Sequence, residues 1–195
     1  KPVFKGTNKY LFEPLNIPMI CLNILDELND MFGNDNIDKI MIEKLSNQYM
    51  NSIVKHVDYK YKCMREYVLP NGTFDDETVQ GRMLCPGHTI ECSWFMLSYC
   101  TKNNIQYING KNAIKLCENI LNWSWKYGWD SNDKGIYYFK DARGLPRTEL
   151  EWNQKLWWPI NESMIGFGLL YKHTKNMEYF NRFNTVIQYG LNKFS

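Results

Sequence analysis

The 195 residues, 44% of them apolar and including seven Trp and thirteen Tyr, can supply a sizeable core for one domain or a large piece of one. A net charge of +2, with no stripe of Lys or Arg, argues against a nucleic-acid partner, and no apolar run approaches the ~18 residues of a membrane span. The opening Lys1-Pro2-Val3-Phe4-Lys5 has no signal-peptide core, so a cytoplasmic setting is the expectation.

After an extended lead-in, Pro18 opens a run from Met19 to Leu28 that is apolar at helical spacing until Gly33. Asp35 or Asn36 is placed to cap a second helix, whose ladder Ile37, Met41, Leu45, Tyr49, Ile53 and Val57 repeats every four residues. The period then changes. Tyr61 to Val68 reads as a short strand and Leu69-Pro70-Asn71-Gly72-Thr73 as a turn.

Pro86 and Gly87 interrupt what precedes them, and a third helix follows at once, fading at Thr101 to Asn104. A fourth is expected from about Lys111 to Tyr127, with Gly128 as its C-terminal cap. Gly135 to Lys140 reads as a strand and Arg143-Gly144-Leu145-Pro146 as a loop. The fifth helix is expected to run through Trp152 to Tyr171, and the sixth from Asn176 with Phe180, Phe183, Ile187, Leu191 and Phe194 along one face.

One unit therefore recurs: an apolar helix, a short link, a second helix, then a long loop with strand-like residues. Pro18, Pro86 and Pro159 mark comparable points, roughly 70 residues apart. Such units cannot bury their apolar faces alone and stack side by side, which predicts an all-α toroid of helical hairpins.

His88 falls in the first turn of the third helix with Glu91 three residues on, so imidazole and carboxylate share a face. The positive end of the helix disfavours the imidazolium and predicts a neutral, proton-accepting His88. A lone histidine at a helix start also serves as an ordinary structural residue, and spacing does not decide between the two. His56 and His173 fall late in predicted helices, where a cation-capable side chain complements the dipole. Cys21, Cys63, Cys85, Cys92, Cys100 and Cys117 are scattered without CxxC pairs or His partners at metal-ligand spacing, and read as reduced and structural. No metal site is expected. Asn71-Gly72-Thr73, Asn122-Trp123-Ser124 and Asn161-Glu162-Ser163 fit the glycosylation pattern only by chance on this reading.

Three blocks, LCPGHTIECSWF, YGWDSNDKGIYYF and TELEWNQKLWWPINESMIGF, together with PLNIPMICLNILDEL upstream, resemble the N-acylglucosamine 2-epimerase family, whose animal members are also called renin-binding proteins. The resemblance covers nearly the whole chain. It implies an (α/α)6 barrel, of which residues 1–195 would be a single, partial domain of about three hairpins, a fragment of a longer protein. The activity implied is interconversion of N-acetylglucosamine and N-acetylmannosamine, by removal of a proton beside the carbonyl of the open-chain sugar and its return on the other face.

On the resemblance His88 matches one of two family histidines in its GHxxE setting, and the other would lie beyond Ser195. Glu91 matches the acidic partner, orienting the imidazole or binding a sugar hydroxyl. In the KLWWPINE block, Trp157 or Trp158 would offer an apolar face to the sugar, Glu162 a carboxylate and Lys155 a donor, and Trp94 is a further lining residue. Neighbouring tryptophans point to different sides of a helix, so one of the two is expected to pack elsewhere. Ile160 stands where the family usually has His. The family implies no metal or redox cofactor, ATP as an activator that is not consumed, a homodimer and, for the animal type, a renin partner. Arg147, Glu149 and Glu151 read as charges ahead of the fifth helix. Two other readings remain: an inverting glycoside hydrolase with Glu91 and Glu162 as acid and base, and a binding protein without catalysis.

Overall fold

In the computed structural model, which describes residues 12–32 and 36–194, six α-helices pair in sequence order. α1 (Asn16–Phe32) packs on α2 (Asn36–Val54), α3 (Pro86–Lys102) on α4 (Ala113–Gly128), and α5 (Trp157–Thr174) on α6 (Met177–Phe194). α3 also touches α1 and α5, so α1, α3 and α5 form an inner row backed by the other three. This is the toroid arrangement the sequence predicts.

Burial follows from position. α3 meets three neighbours and buries eleven of its seventeen residues, from Pro86 to Cys100. α6 packs chiefly on α5, reaches α4 through Tyr179 and Arg182, and buries only Tyr179 and Val186, a seven-residue spacing on a single face. The core joins Leu15, Met19, Leu22, Met50 and Ile53 to Ile90, Phe95, Met96, Leu116, Ile120, Leu121, Ile160, Phe167 and Leu170. Among the described residues no helix is long and apolar enough to cross a membrane.

Eight two-residue strands pair antiparallel. β1 (Glu13–Pro14) meets β4 (Tyr67–Val68), β2 (Val57–Asp58) meets β3 (Cys63–Met64), and β5 (Met83–Leu84) meets β8 (Lys140–Asp141). These three pairs lie in segments that lead into the N-termini of the inner helices. The fourth, β6 (Tyr107–Ile108) with β7 (Lys111–Asn112), joins α3 to α4 at the far end. Its two-residue turn, Asn109 and Gly110, has φ of 47° and 75°, the left-handed pair that lets hairpin strands keep their twist.

The segment between α2 and α3 is held by buried charge. Arg65 is fully buried; its guanidinium donates to Asp58 at 2.6 and 2.9 Å, to Asp76 at 2.6 Å and to the Gly81 carbonyl at 2.8 Å. Arg82 bonds Asp141 at 2.9 Å, tying this segment to the one before α5.

Several boundaries depart from the sequence reading. α5 starts at Trp157, because Lys155 is held extended opposite Tyr137 and Pro159 fits only in a first turn. Glu149 and Glu151 are therefore not in that turn, and Glu149 instead receives the Arg147 guanidinium at 2.6 and 2.9 Å. The expected strand from Gly135 to Lys140 is reduced to bridges at Ile136 and Tyr137 and the pair at Lys140. Steps of four overshoot a 3.6-residue turn, so the α2 ladder drifts: Met41 is exposed, while Ile42, Ser46, Met50 and Ile53 are buried. Ile37 and the caps Asp35 and Asn36, like the lead-in before Phe12, lie outside the described side chains. On α6 the buried edge is Tyr179 and Val186, and Leu191 and Phe194 stay exposed. Gly128 ends α4 without a left-handed φ. A Cβ there would lie 2.5 Å from that of Pro86, so the glycine permits close approach of α4 to the start of α3.

Candidate active site

Pro86 starts α3 with its φ preset and no N–H to leave unpaired, which puts His88 in the first turn. Glu66 is brought to it by the preceding segment. The Glu66 N–H donates to the Met83 carbonyl and its own carbonyl accepts from Leu15 N–H, both at 2.9 Å, so the residue is fixed between α1 and β5. Between β3 and β4, Arg65 enters the buried charge network and Glu66 meets His88. Nδ1 of His88 lies 3.1 and 3.0 Å from the two Glu66 oxygens. The glutamate side chain is 7% exposed and the imidazole 28%, so the pair is sealed on the Glu66 side and open on the other.

This pairing overturns the expected neutral His88. Burial disfavours the imidazolium, as the helix end does, but hydrogen bonds to Cys85 and Glu66 and the Glu66 charge outweigh it and raise the pKa. Burial pushes the Cys85 thiol up as well, which keeps it uncharged at neutral pH. Glu66 is then the ion that decides the direction. The shift favours the protonated form of His88, and the carboxylate that meets its Nδ1 is Glu66 rather than Glu91.

Glu91 sits one turn further along α3. Burial, together with the charge of Glu162, lifts its pKa to about 7, with His88 pulling the other way. Burial raises Glu162 too, partly offset by the Trp94 Nε1–H, which donates to it at 2.7 Å. Trp158 lays its ring 5.4 Å from the imidazole, tilted by 35°, and meets Tyr138 edge-on at 6.4 Å. A Cβ on Gly87 would stand 2.4 Å from the Trp158 ring, so only glycine lets this contact form.

The structure thus gathers His88, Glu91, Trp94, Trp158 and Glu162 along the N-terminal halves of α3 and α5. It does not bring in Lys155 or Trp157. Lys155 is ion-paired to Asp130 at 3.0 Å and lies 3.4 Å from the centre of the Tyr137 ring, so its ammonium is already occupied. Trp157 is 60% exposed on the opposite side from Trp158, as neighbours on a helix must be. Ile160 is wholly buried and packs toward Gly190 on α6, in the core rather than at the His88 cluster. His56 follows α2 instead of lying within it. Burial lowers its pKa to about 4, so it is neutral and does not act as a helix-end cation. His173 does fall in the last turn of α5.

Glu66 is the residue the sequence reading missed. Its signal was a pair of adjacent charges, Arg65-Glu66, inside an apolar strand-like run, since buried charges persist only with partners. The assembly offers an acid paired with a carboxylate, an aromatic face beside it, and two carboxyl groups that burial shifts toward their protonated forms. Such a set binds hydroxyls and moves protons.

A sequence model of the N-acylglucosamine 2-epimerase (GlcNAc 2-epimerase) family matches residues 19–195. The chain belongs to that family. Among the relatives it resembles, the N-acylglucosamine 2-epimerase of Rattus norvegicus is 32% identical over 197 residues, covering 100% of this chain and 44% of the rat protein. That of Mus musculus is 31% identical over 182 residues, covering 93% and 42%. The chain therefore spans less than half the length of these relatives. Among solved structures, a D-mannose isomerase superposes with a TM-score of 0.71 at 19% identity over 93% of this chain and 43% of its own. A cellobiose 2-epimerase from Bacillus thermoamylovorans gives 0.70 at 18%, over 95% and 43%. These likenesses establish the fold as the helical toroid of sugar epimerases. The GHxxE and WWPxxE segments of this chain meet in space through His88 and Trp158.

Proposed function

We propose that the complete protein epimerises an N-acylated amino sugar at the carbon beside its carbonyl, interconverting N-acetylglucosamine and N-acetylmannosamine, with His88 carrying the proton on one face of that carbon. The observation that supports this most directly is the His88–Glu66 pair beside Trp158 in a member of the epimerase family. With Nδ1 engaged by Glu66, Nε2 is left to trade a proton with substrate. The reaction runs both ways, so the imidazolium is the acid in one direction and the imidazole the base in the other, and Glu66 sets the balance between them. Glu91 and Glu162, whose carboxyl pKa values burial raises, accept hydrogen bonds from sugar hydroxyls, and Trp158 gives the ring an apolar face. On this reading the second proton carrier comes from outside the described residues. The chemistry asks for no metal or redox group, and ATP, if it acts, acts as an effector. Six free thiols, five of them buried, go with a reducing, cytoplasmic setting.

The test is proton exchange. The complete gene product, with and without ATP, is incubated with N-acetylmannosamine in heavy water, and deuterium at the second carbon is followed by NMR. Incorporation together with epimer formation is expected. His88→Ala should abolish both, and Glu66→Gln should lower the rate on the order of 10²-fold, the usual worth of a positioned acid–base group. Folded protein that gives neither exchange nor epimer sinks the proposal.

A further inference from the structure

We propose that Glu66, Cys85 and His88 form a binding site for a thiophilic divalent cation of the zinc class, whose occupation takes His88 out of proton transfer. One donor atom from each, Sγ, a ring nitrogen and a carboxylate oxygen, lies within 4.8 Å of the other two, and the His88–Glu66 separation is already 3.0 Å. Tetrahedral zinc, with bonds of about 2.0–2.3 Å, spaces its ligands roughly 3.3–3.7 Å apart. The widest gap therefore needs to close by about an ångström, within the reach of side-chain torsions.

The scaffold holds all three donors in place. Cys85 precedes α3 and His88 lies in its first turn, three residues on, so both side chains leave the same side of the helix. Glu66 is tied at both backbone ends. The expectation that no cysteine has a His partner at metal-ligand spacing is corrected by Cys85-Pro86-Gly87-His88, a single such pair.

Donor chemistry selects the cation. One sulfur, one nitrogen and one oxygen suit zinc or cobalt, whereas magnesium and calcium require oxygen ligands throughout. As the metal binds, Cys85 gives up its thiol proton to solvent and His88 the proton on its coordinating nitrogen. Thiolate and carboxylate together then balance the two positive charges. The fourth position faces the open side of the imidazole and takes water. The cation is an inhibitor on this account, and only that consequence rests on the epimerase reading; binding itself does not.

Cobalt(II) reports the ligand set directly. Titrating the metal-free complete gene product should give one equivalent bound, with a near-ultraviolet thiolate-to-cobalt charge-transfer band that zinc displaces. Cys85→Ser should lose the band and bind zinc at least ten-fold more weakly. Cys21→Ser, at a half-buried thiol on α1, should change neither. Failure to bind cobalt, or cobalt bound without a thiolate band in the unaltered protein, overturns the site whatever the variants do. So does unchanged zinc affinity in a Cys85→Ser protein that melts like the parent. Failure of the epimerase reading appears in deuterium exchange instead and leaves this spectrum interpretable.

Discussion

His56 turns its Nδ1 toward the Arg65 carbonyl at 2.9 Å, whereas His88 turns Nδ1 toward a carboxylate. A carbonyl needs an N–H from the ring but does not offset a full charge, so burial wins at His56 and its pKa falls to about 4. At His88 the carboxylate reverses the outcome. The sign for stability follows. His56 titrates near 6.5 in the unfolded chain, so its contribution is full above that value and is lost as pH drops through about 4. The amount is about 3 kcal/mol at 1.4 kcal/mol per pKa unit. Urea unfolding from pH 7 to 4 should show this loss in the parent protein and not in His56→Gln; parallel curves for the two would refute it. Of the two histidines, only the position of His88 was legible in sequence. Its protonation was not, because the deciding group is 22 residues away in a connecting segment.

At the scale of elements, the segment between α2 and α3 owes its shape to Arg65 rather than to its two-residue strands. Removing the guanidinium strands the buried Asp58 without its partner, so Arg65→Ala should destabilise by about 3–5 kcal/mol. A paired Arg65→Met, Asp58→Leu replacement should recover most of that in denaturant titrations, because no fully buried charge is then left unpaired and the part-exposed Asp76 keeps Lys60. If the double variant is no better than the single, the pair stabilises through something other than charge compensation. Helix identity was readable from apolar spacing and from Pro18, Pro86 and Pro159. Helix faces and the start of α5 were less so, since a four-residue ladder precesses on the helix and the extended Lys155 is a tertiary contact. The irregular segments, where Glu66 and the arginine network sit, have no periodicity from which to infer partners.

For the whole molecule, the recurrence of hairpins gave the toroid, because each unit has one apolar face that only a neighbour can cover. α1 ends that row among the described residues, and Ile17, Ile20 and Ile24 on it are 56, 40 and 50% exposed. This stripe predicts that residues 1–195 produced alone self-associate as concentration rises, and that Ile20→Lys with Ile24→Lys suppresses it. Sedimentation would check both, and a monomer at all concentrations would refute the first. The two ends of the toroid differ in another way. Glu66, His88 and Trp158 gather where the inner helices begin, while the hairpin of β6 and β7 turns at Asn109 and Gly110 beyond the C-terminus of α3, about 20 Å of helix from His88. A fluorophore or a surface tether fixed at that turn would leave the working end of the molecule facing solution, with its loops untouched.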